Sequence, residues 1–93
     1  MEINYVVFFH PAVPKEDIPR LDNIWRENIK SAIRLKLTTA PLLYGLPLRQ
    51  SLKGLRKLRV GDYRVIYKIE KRAIRIIIIE HRSVVYKKIL KII

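Results

Sequence analysis

The chain has 93 residues, 49% of them apolar, with twenty Lys and Arg against eight Asp and Glu (net +12) and no cysteine. This length predicts one hydrophobic core in a single domain over residues 1–93. Disulfides, thiolate chemistry and cysteine-held metals are excluded, and the longest apolar run, Ile76-Ile77-Ile78-Ile79, falls far below the roughly 18 residues of a membrane span.

In chain order, Ile3 to Phe9 is rich in β-branched and aromatic residues and stops at His10-Pro11, which predicts a strand. The same N-terminal stretch has neither a basic leader region nor a small-residue cleavage site, so the chain is expected to act in the cytoplasm. Pro14 with Glu16-Asp17 suits the first turn of a short helix, which Pro19 keeps short. A longer helix is predicted from about Asp22 to Leu37, because Ile24, Trp25, Ile29, Ala32, Ile33 and Leu37 recur at helical spacing. Asp22 is the expected N-cap, and Pro41 restricts Ala40 and ends the run. Residues 41–54, with two prolines and two glycines among leucines, predict a partly packed loop.

Strands are expected at 55–60, 62–70 and 73–80, the first two joined by a tight hairpin at Val60-Gly61-Asp62. The last, apolar at nearly every position, should be central with both faces covered. Ser83 is expected to cap a terminal helix whose apolar stripe is Val85, Ile89 and Ile92, with Tyr86, Leu90 and Ile93 beside it. The resulting class is α+β, in the order β-α-α-β-β-β-α: a small, mostly antiparallel sheet, an N-terminal helical pair on one face and a C-terminal helix.

Charge is unevenly spread along this plan. Residues 1–27 hold five acids and three bases, whereas residues 28–93 hold seventeen bases against Asp62, Glu70 and Glu80. That balance fits a surface that displaces counterions from a phosphate backbone; a solvated lysine-rich surface is the bland alternative. Strand alternation sorts the cations further. Leu58 and Val60 should face the core, leaving Lys57 and Arg59 on the opposite face, and Tyr63, Val65 and Tyr67 should alternate with Arg64, Ile66 and Lys68. The simplest register gathers Lys57, Arg59 and Arg64 on an open sheet face, an arrangement that repels itself unless an anion answers it. His81, Arg82 and Tyr86, at the end of the last strand and the start of the terminal helix, are expected to flank that face with an acid-base group, a guanidinium and a ring.

Leu58-Arg59-Val60-Gly61-Asp62-Tyr63-Arg64-Val65-Ile66-Tyr67, together with His81-Arg82 and Tyr86 four residues beyond Arg82, resembles the RelE class of toxins within the RelE/ParE superfamily of toxin–antitoxin systems. Glu16-Asp17-Ile18-Pro19, Ile29 to Ile33 and Pro41 to Leu48 support the likeness, which spans most of the chain. The resemblance implies a RelE-like fold and an endoribonuclease that cuts mRNA in the ribosomal A site by attack of a 2′-hydroxyl on its own adjacent phosphate. By analogy Arg64, assisted by Arg59, holds the phosphate, because a planar fork of donors matches its oxygens. Arg82 contacts the leaving group or phosphate, and Tyr86 stacks on a base or holds the nucleotide in line.

Lys57 stands where family members carry a lysine that serves as general base; some carry a second lysine two positions earlier, where this chain has Leu55. His81 offers an imidazole suited to proton exchange near neutral pH, so proton transfer is expected to be shared between Lys57 and His81. Lys53, Arg56 and Lys68 extend the basic surface as further RNA contacts. No metal or other cofactor is expected. The implied partners are mRNA on the ribosome and a cognate antitoxin in a hetero-oligomer, whose acidic or amphipathic helix covers the basic face or displaces the terminal helix. Two other functions fit the composition: a ParE-like inhibitor of DNA gyrase without nuclease activity, and a non-catalytic RNA-binding or ribosomal protein.

Overall fold

The computed structural model describes residues 4–48 and 54–92. Strand β1 (Val6–Phe9) starts later than the sequence pattern indicates, and Ile3 lies outside the described residues. Two helical turns follow, Val13–Asp17 and Ile18–Arg20, each with a proline in its first positions, where a missing N–H costs nothing. Helix α1 (Asn23–Ala32) begins at Asp22, whose side chain accepts the Trp25 N–H at 3.0 Å and satisfies one of the open donors of the first turn. It runs on as a wider turn, Ile33–Leu37, so the observed helical segment ends where the apolar spacing ends.

The segment expected to be loop is more ordered than that. Pro41 opens a short helix, α2 (Pro41–Tyr44), and strand β2 (Leu46–Pro47) follows. Both depend on partners distant in sequence: Leu46 pairs with Lys57 and Pro47 with Arg56, and the Arg56 guanidinium donates to the carbonyls of Leu42 at 3.0 Å and Gly45 at 2.6 Å. Gly45 is required by close approach. A Cβ there would lie 1.6 Å from the hydroxyl of Tyr67, which is fully buried and donates to the Pro41 carbonyl at 2.7 Å. Burial pushes the Tyr67 phenol above its ordinary pKa, and the Arg56 guanidinium offsets part of the rise. Gly45→Ala therefore has to displace a core tyrosine, and is expected to cost about 3 kcal/mol of stability in urea denaturation.

Strands β3 (Leu55–Val60), β4 (Tyr63–Glu70) and β5 (Ala73–His81) complete one five-stranded sheet in the order β1-β5-β4-β3-β2, with β1 parallel to β5 and every other pair antiparallel. Gly61 turns the β3–β4 hairpin at φ +59°, and a Cβ on it would also meet the Trp25 ring at 2.3 Å. Helix α3 (Val85–Ile92) closes the described fold. Ser83 is not its N-cap: Val84 supplies the first accepting carbonyl, to the Lys88 N–H at 3.1 Å, and Ser83 turns to His81 instead. No helix among the described residues is long and apolar enough to cross a membrane.

Where the chain length predicts one core, the sheet divides the buried residues into two, one on each face. Under α1 and the N-terminal turns lie Val13, Leu21, Ile29, Ile33, Leu37, Leu58, Val65, Tyr67, Ile74, Ile76 and Ile79. On the other face Leu55, Ile66 and Ile78 are covered by Val85 and Ile89 of α3. A register shift in β4–β5 makes this division possible. Ile66 pairs with Ile78 but Tyr67 pairs with Ile76, so the alternation slips at Ile77, and Ile76 and Ile79 reach one core while Ile78 reaches the other. An isoleucine run covered on both faces is what the sequence pattern predicted.

Candidate functional site

Arg59 and Arg64 are directly paired across the β3–β4 hairpin, and Lys57 pairs with Ile66 two residues further along. With Leu58, Val60, Tyr63 and Val65 in or against the α1-side core, all three cations stand on the α3 side. That face is not open as expected: α3 crosses it, laying its apolar ridge Val85/Ile89 on Leu55, Ile66 and Ile78, with Leu48 packed against the same cluster. The helix brings Tyr86 to Lys57. Lys57 Nζ donates to the Tyr86 hydroxyl at 2.8 Å and lies 5.5 Å from its ring centroid, while the ring stays partly exposed.

Arg64 folds toward the hairpin and donates through Nη1 to the carbonyls of Gly61 and Tyr63, both at 2.9 Å. Among the described residues no carboxylate lies within 4.0 Å of Lys57, Arg59 or Arg64. Arg82 sits at the hairpin end, its backbone N–H bonded to the Asp62 carbonyl at 2.8 Å and its exposed guanidinium 3.8 Å from the Asp62 carboxylate. Lys68 is exposed on the α3 side, opposite Leu55.

Two expected site residues are placed differently. His81 pairs with Tyr63 and its ring meets the Tyr63 ring edge-on at 5.5 Å, on the α1 side, where Trp25 stacks on Tyr63 at 5.0 Å. Its Nδ1 accepts the Ser83 N–H at 3.2 Å and lies 2.8 Å from Ser83 Oγ. His81 and Lys57 are thus on opposite faces, because an odd-numbered step along β5 follows the register of Tyr63, not that of Arg64. Arg56 belongs to the α1 side too, where it ties α2 and β2 to the sheet; its Nε is buried without a hydrogen-bond partner. Lys53 lies outside the described residues.

A charged group that sequence pattern did not single out stands on the far flank of α3. Asp17, buried, accepts the Ile79 N–H at 2.9 Å and binds Lys88 Nζ, which also lies 3.5 Å from Glu80; Arg20 reaches Glu80 at 4.0 Å. In the sequence Asp17 is one acid in a first helical turn, a pattern that ordinarily means a solvated charge. Only the topology brings it to the edge of β5.

The described residues include no group of three or more His, Asp or Glu able to hold a metal ion. A cleft of about 300 Å³ opens on the other side of the sheet, lined by apolar residues of β1, α1 and β5 with Arg26 and Lys30 at its rim. It lacks a convergent pair of acid-base groups and does not reach Lys57.

Residues 7–86 match the family described as the ParE toxin of type II toxin–antitoxin system, parDE. The fold is similar to a chain of the RelBE2 toxin–antitoxin complex of Mycobacterium tuberculosis, with a TM-score of 0.80 and 28% identity over 87% of this chain and 94% of that one. It is also similar to the isolated RelE toxin of E. coli (TM-score 0.69, 22% identity, 94% and 96% of the two chains). A third likeness is to a chain of the archaeal RelE–RelB complex from Pyrococcus horikoshii (TM-score 0.67, 23% identity, 86% and 97%). No curated protein matches the sequence.

Proposed function

The chain belongs to the ParE toxin family of type II toxin–antitoxin systems, within the RelE/ParE superfamily, and from that premise we propose that it is an endoribonuclease cutting mRNA on the ribosome. The observation that carries this reading is the Lys57–Tyr86 hydrogen bond beside two arginines that have no carboxylate within 4.0 Å among the described residues. Three cations held on one sheet face repel one another, and an incoming phosphodiester relieves that repulsion. A gyrase-directed docking surface has no need of an amine and a phenol in contact at its centre.

The reaction assigned to this face requires no cofactor. The 2′-oxygen of one nucleotide bonds to the adjacent phosphorus as the bond to the 5′-oxygen of the next nucleotide breaks, leaving a 2′,3′-cyclic phosphate and a 5′-hydroxyl. In its uncharged form the amine of Lys57 takes the 2′-hydroxyl proton, Arg59 and Arg64 offer donors to the phosphoryl oxygens as charge builds on them, and the departing 5′-oxygen takes up a proton from solvent. Tyr86 holds the Lys57 amine through its hydroxyl and offers the exposed side of its ring to a base. Arg82, at the hairpin end, contacts the phosphate on the leaving-group side. Lys68 extends the basic track, while His81 takes no part because its ring lies across the sheet. The inhibitor is a cognate antitoxin, in keeping with the toxin–antitoxin complexes among the similar folds.

The matched family is named for ParE, so inhibition of DNA gyrase is the second reading. Inducible expression of the wild type and of Arg64→Ala, with mRNA cuts mapped on translating ribosomes and DNA breaks measured with purified gyrase, separates the two. We expect cuts with the wild type, lowered about 10²-fold by Arg64→Ala, and no gyrase-dependent breaks. Growth arrest with DNA breaks and no mRNA cuts rejects the nuclease reading.

A further inference from the structure

Helix α3 presents three sides to the rest of the molecule. Val85 and Ile89 point down into the second core. At 100° per residue, Tyr86 and Lys88 project roughly 80° to either side of that ridge. Tyr86 therefore reaches β3, where it meets Lys57, and Lys88 reaches the opposite edge, where it meets Asp17 and Glu80. An apolar ridge such as Val85 and Ile89 resists lifting but permits rolling, since dispersion and burial have no preferred direction. Roll is fixed by the directional contacts on the flanks.

The Lys88 contact is the firmer of the two. Its acceptor, Asp17, has a side chain only 1% exposed and is itself held by the Ile79 N–H of the sheet edge. Lys88 is 23% exposed, whereas Tyr86 is 42% exposed. We propose that Asp17 and Lys88 are positioning residues that set the roll of α3, and so hold the Tyr86 hydroxyl against Lys57; the catalytic meaning of that contact rests on the cleavage reading above. Neither residue touches RNA. Their ion pair lies on the side of the helix away from Lys57, and it acts through the rigid helical segment between residues 86 and 88.

The test labels the full chain with fluorotyrosine at position 86 and follows its 19F resonance, in the wild type and in Lys88→Met, Lys88→Arg and Asp17→Asn. Methionine keeps the aliphatic stem and removes the charge but leaves the Asp17 carboxylate with the Ile79 N–H alone, so circular dichroism verifies folding, and Asp17→Asn, which leaves no unpaired buried carboxylate, decides the question if Lys88→Met does not fold. The resonance is expected to move in Lys88→Met and Asp17→Asn and to return to the wild-type position in Lys88→Arg. An unmoved resonance in folded Lys88→Met overturns the proposal, and so does a shift that arginine fails to reverse. This readout needs no substrate. If the wild type fails to cut mRNA, the cleavage reading falls while the resonance still decides the positioning role. With a cutting wild type, Lys88→Met is expected to lower kcat by about 10- to 100-fold at unchanged KM, and to add no further loss to Tyr86→Phe. Full additivity of the two substitutions likewise overturns the proposal.

Discussion

Lys57→Ala is expected to lower mRNA cleavage on programmed ribosomes by about 10³-fold, the middle of the range that a positioned proton-transfer group contributes. The expectation rests on where the amine sits. It lies on the same face as Arg59 and Arg64, and its nitrogen is fixed at 2.8 Å from the Tyr86 hydroxyl. Tyr86→Phe keeps the ring and loses that hydroxyl, so it should fall between Lys57→Ala and the wild type. His81→Ala should stay close to the wild type, since the imidazole is engaged with Ser83 and Tyr63 across the sheet. Single-turnover cleavage with the codon fixed in the A site measures all three. Equal losses at Lys57 and His81 would return histidine to the mechanism, and an unimpaired Lys57→Ala would remove lysine from it.

The second large effect is on stability. Asp17→Ala takes away the acceptor of the Ile79 N–H and the partner of Lys88 together, at a site from which water is nearly excluded. Breaking a buried pair by deleting one member costs about 3–5 kcal/mol. A domain of ordinary stability has only about 5–15 kcal/mol in all, so this one side chain controls a large share of it. Asp17→Asn should lose less, because an amide oxygen still accepts from Ile79. Exposed pairs such as Arg82–Asp62 should matter little by comparison. Urea midpoints order these variants; a wild-type midpoint for Asp17→Ala would show that the buried carboxylate is dispensable.

Local chemistry made most of the fold legible. Asp22 caps α1, the apolar spacing gave the length of the helical segment, and the Gly61 hairpin and the three long strands fall within a residue of their expected limits. What escaped depends on contacts between distant residues. Helix α2 and strand β2 are tied to the sheet by Arg56, which collects the carbonyls of Leu42 in α2 and of Gly45 between the two elements, so a residue expected to bind RNA is occupied within the fold. The slip at Ile77 and the position of α3 were equally hidden, since neither periodicity nor charge says which face a terminal helix covers. Alternation correctly put Lys57, Arg59 and Arg64 together on one face. Applied through the Tyr63 register, the same rule carries His81 away from them, a step that requires the β4–β5 pairing to be known.

The parallel pairing of β1 with β5 has a further consequence, for the order in which the molecule comes into being. Val6 to Phe9 pair with Ala73 to Ile76, and Asp17 binds a lysine 71 positions later in the chain. On a translating ribosome β1 leaves the exit tunnel well before β5 and has no strand partner until Ala73 to Ile76 have followed. Contacts of such long sequence separation close late, after the entropy of the intervening loop has been overcome. The β3–β4 hairpin with its arginines can form while synthesis continues, but Tyr86 meets Lys57 only after α3 has emerged. The nascent chain therefore acquires its arginine pair first and its amine–phenol contact last.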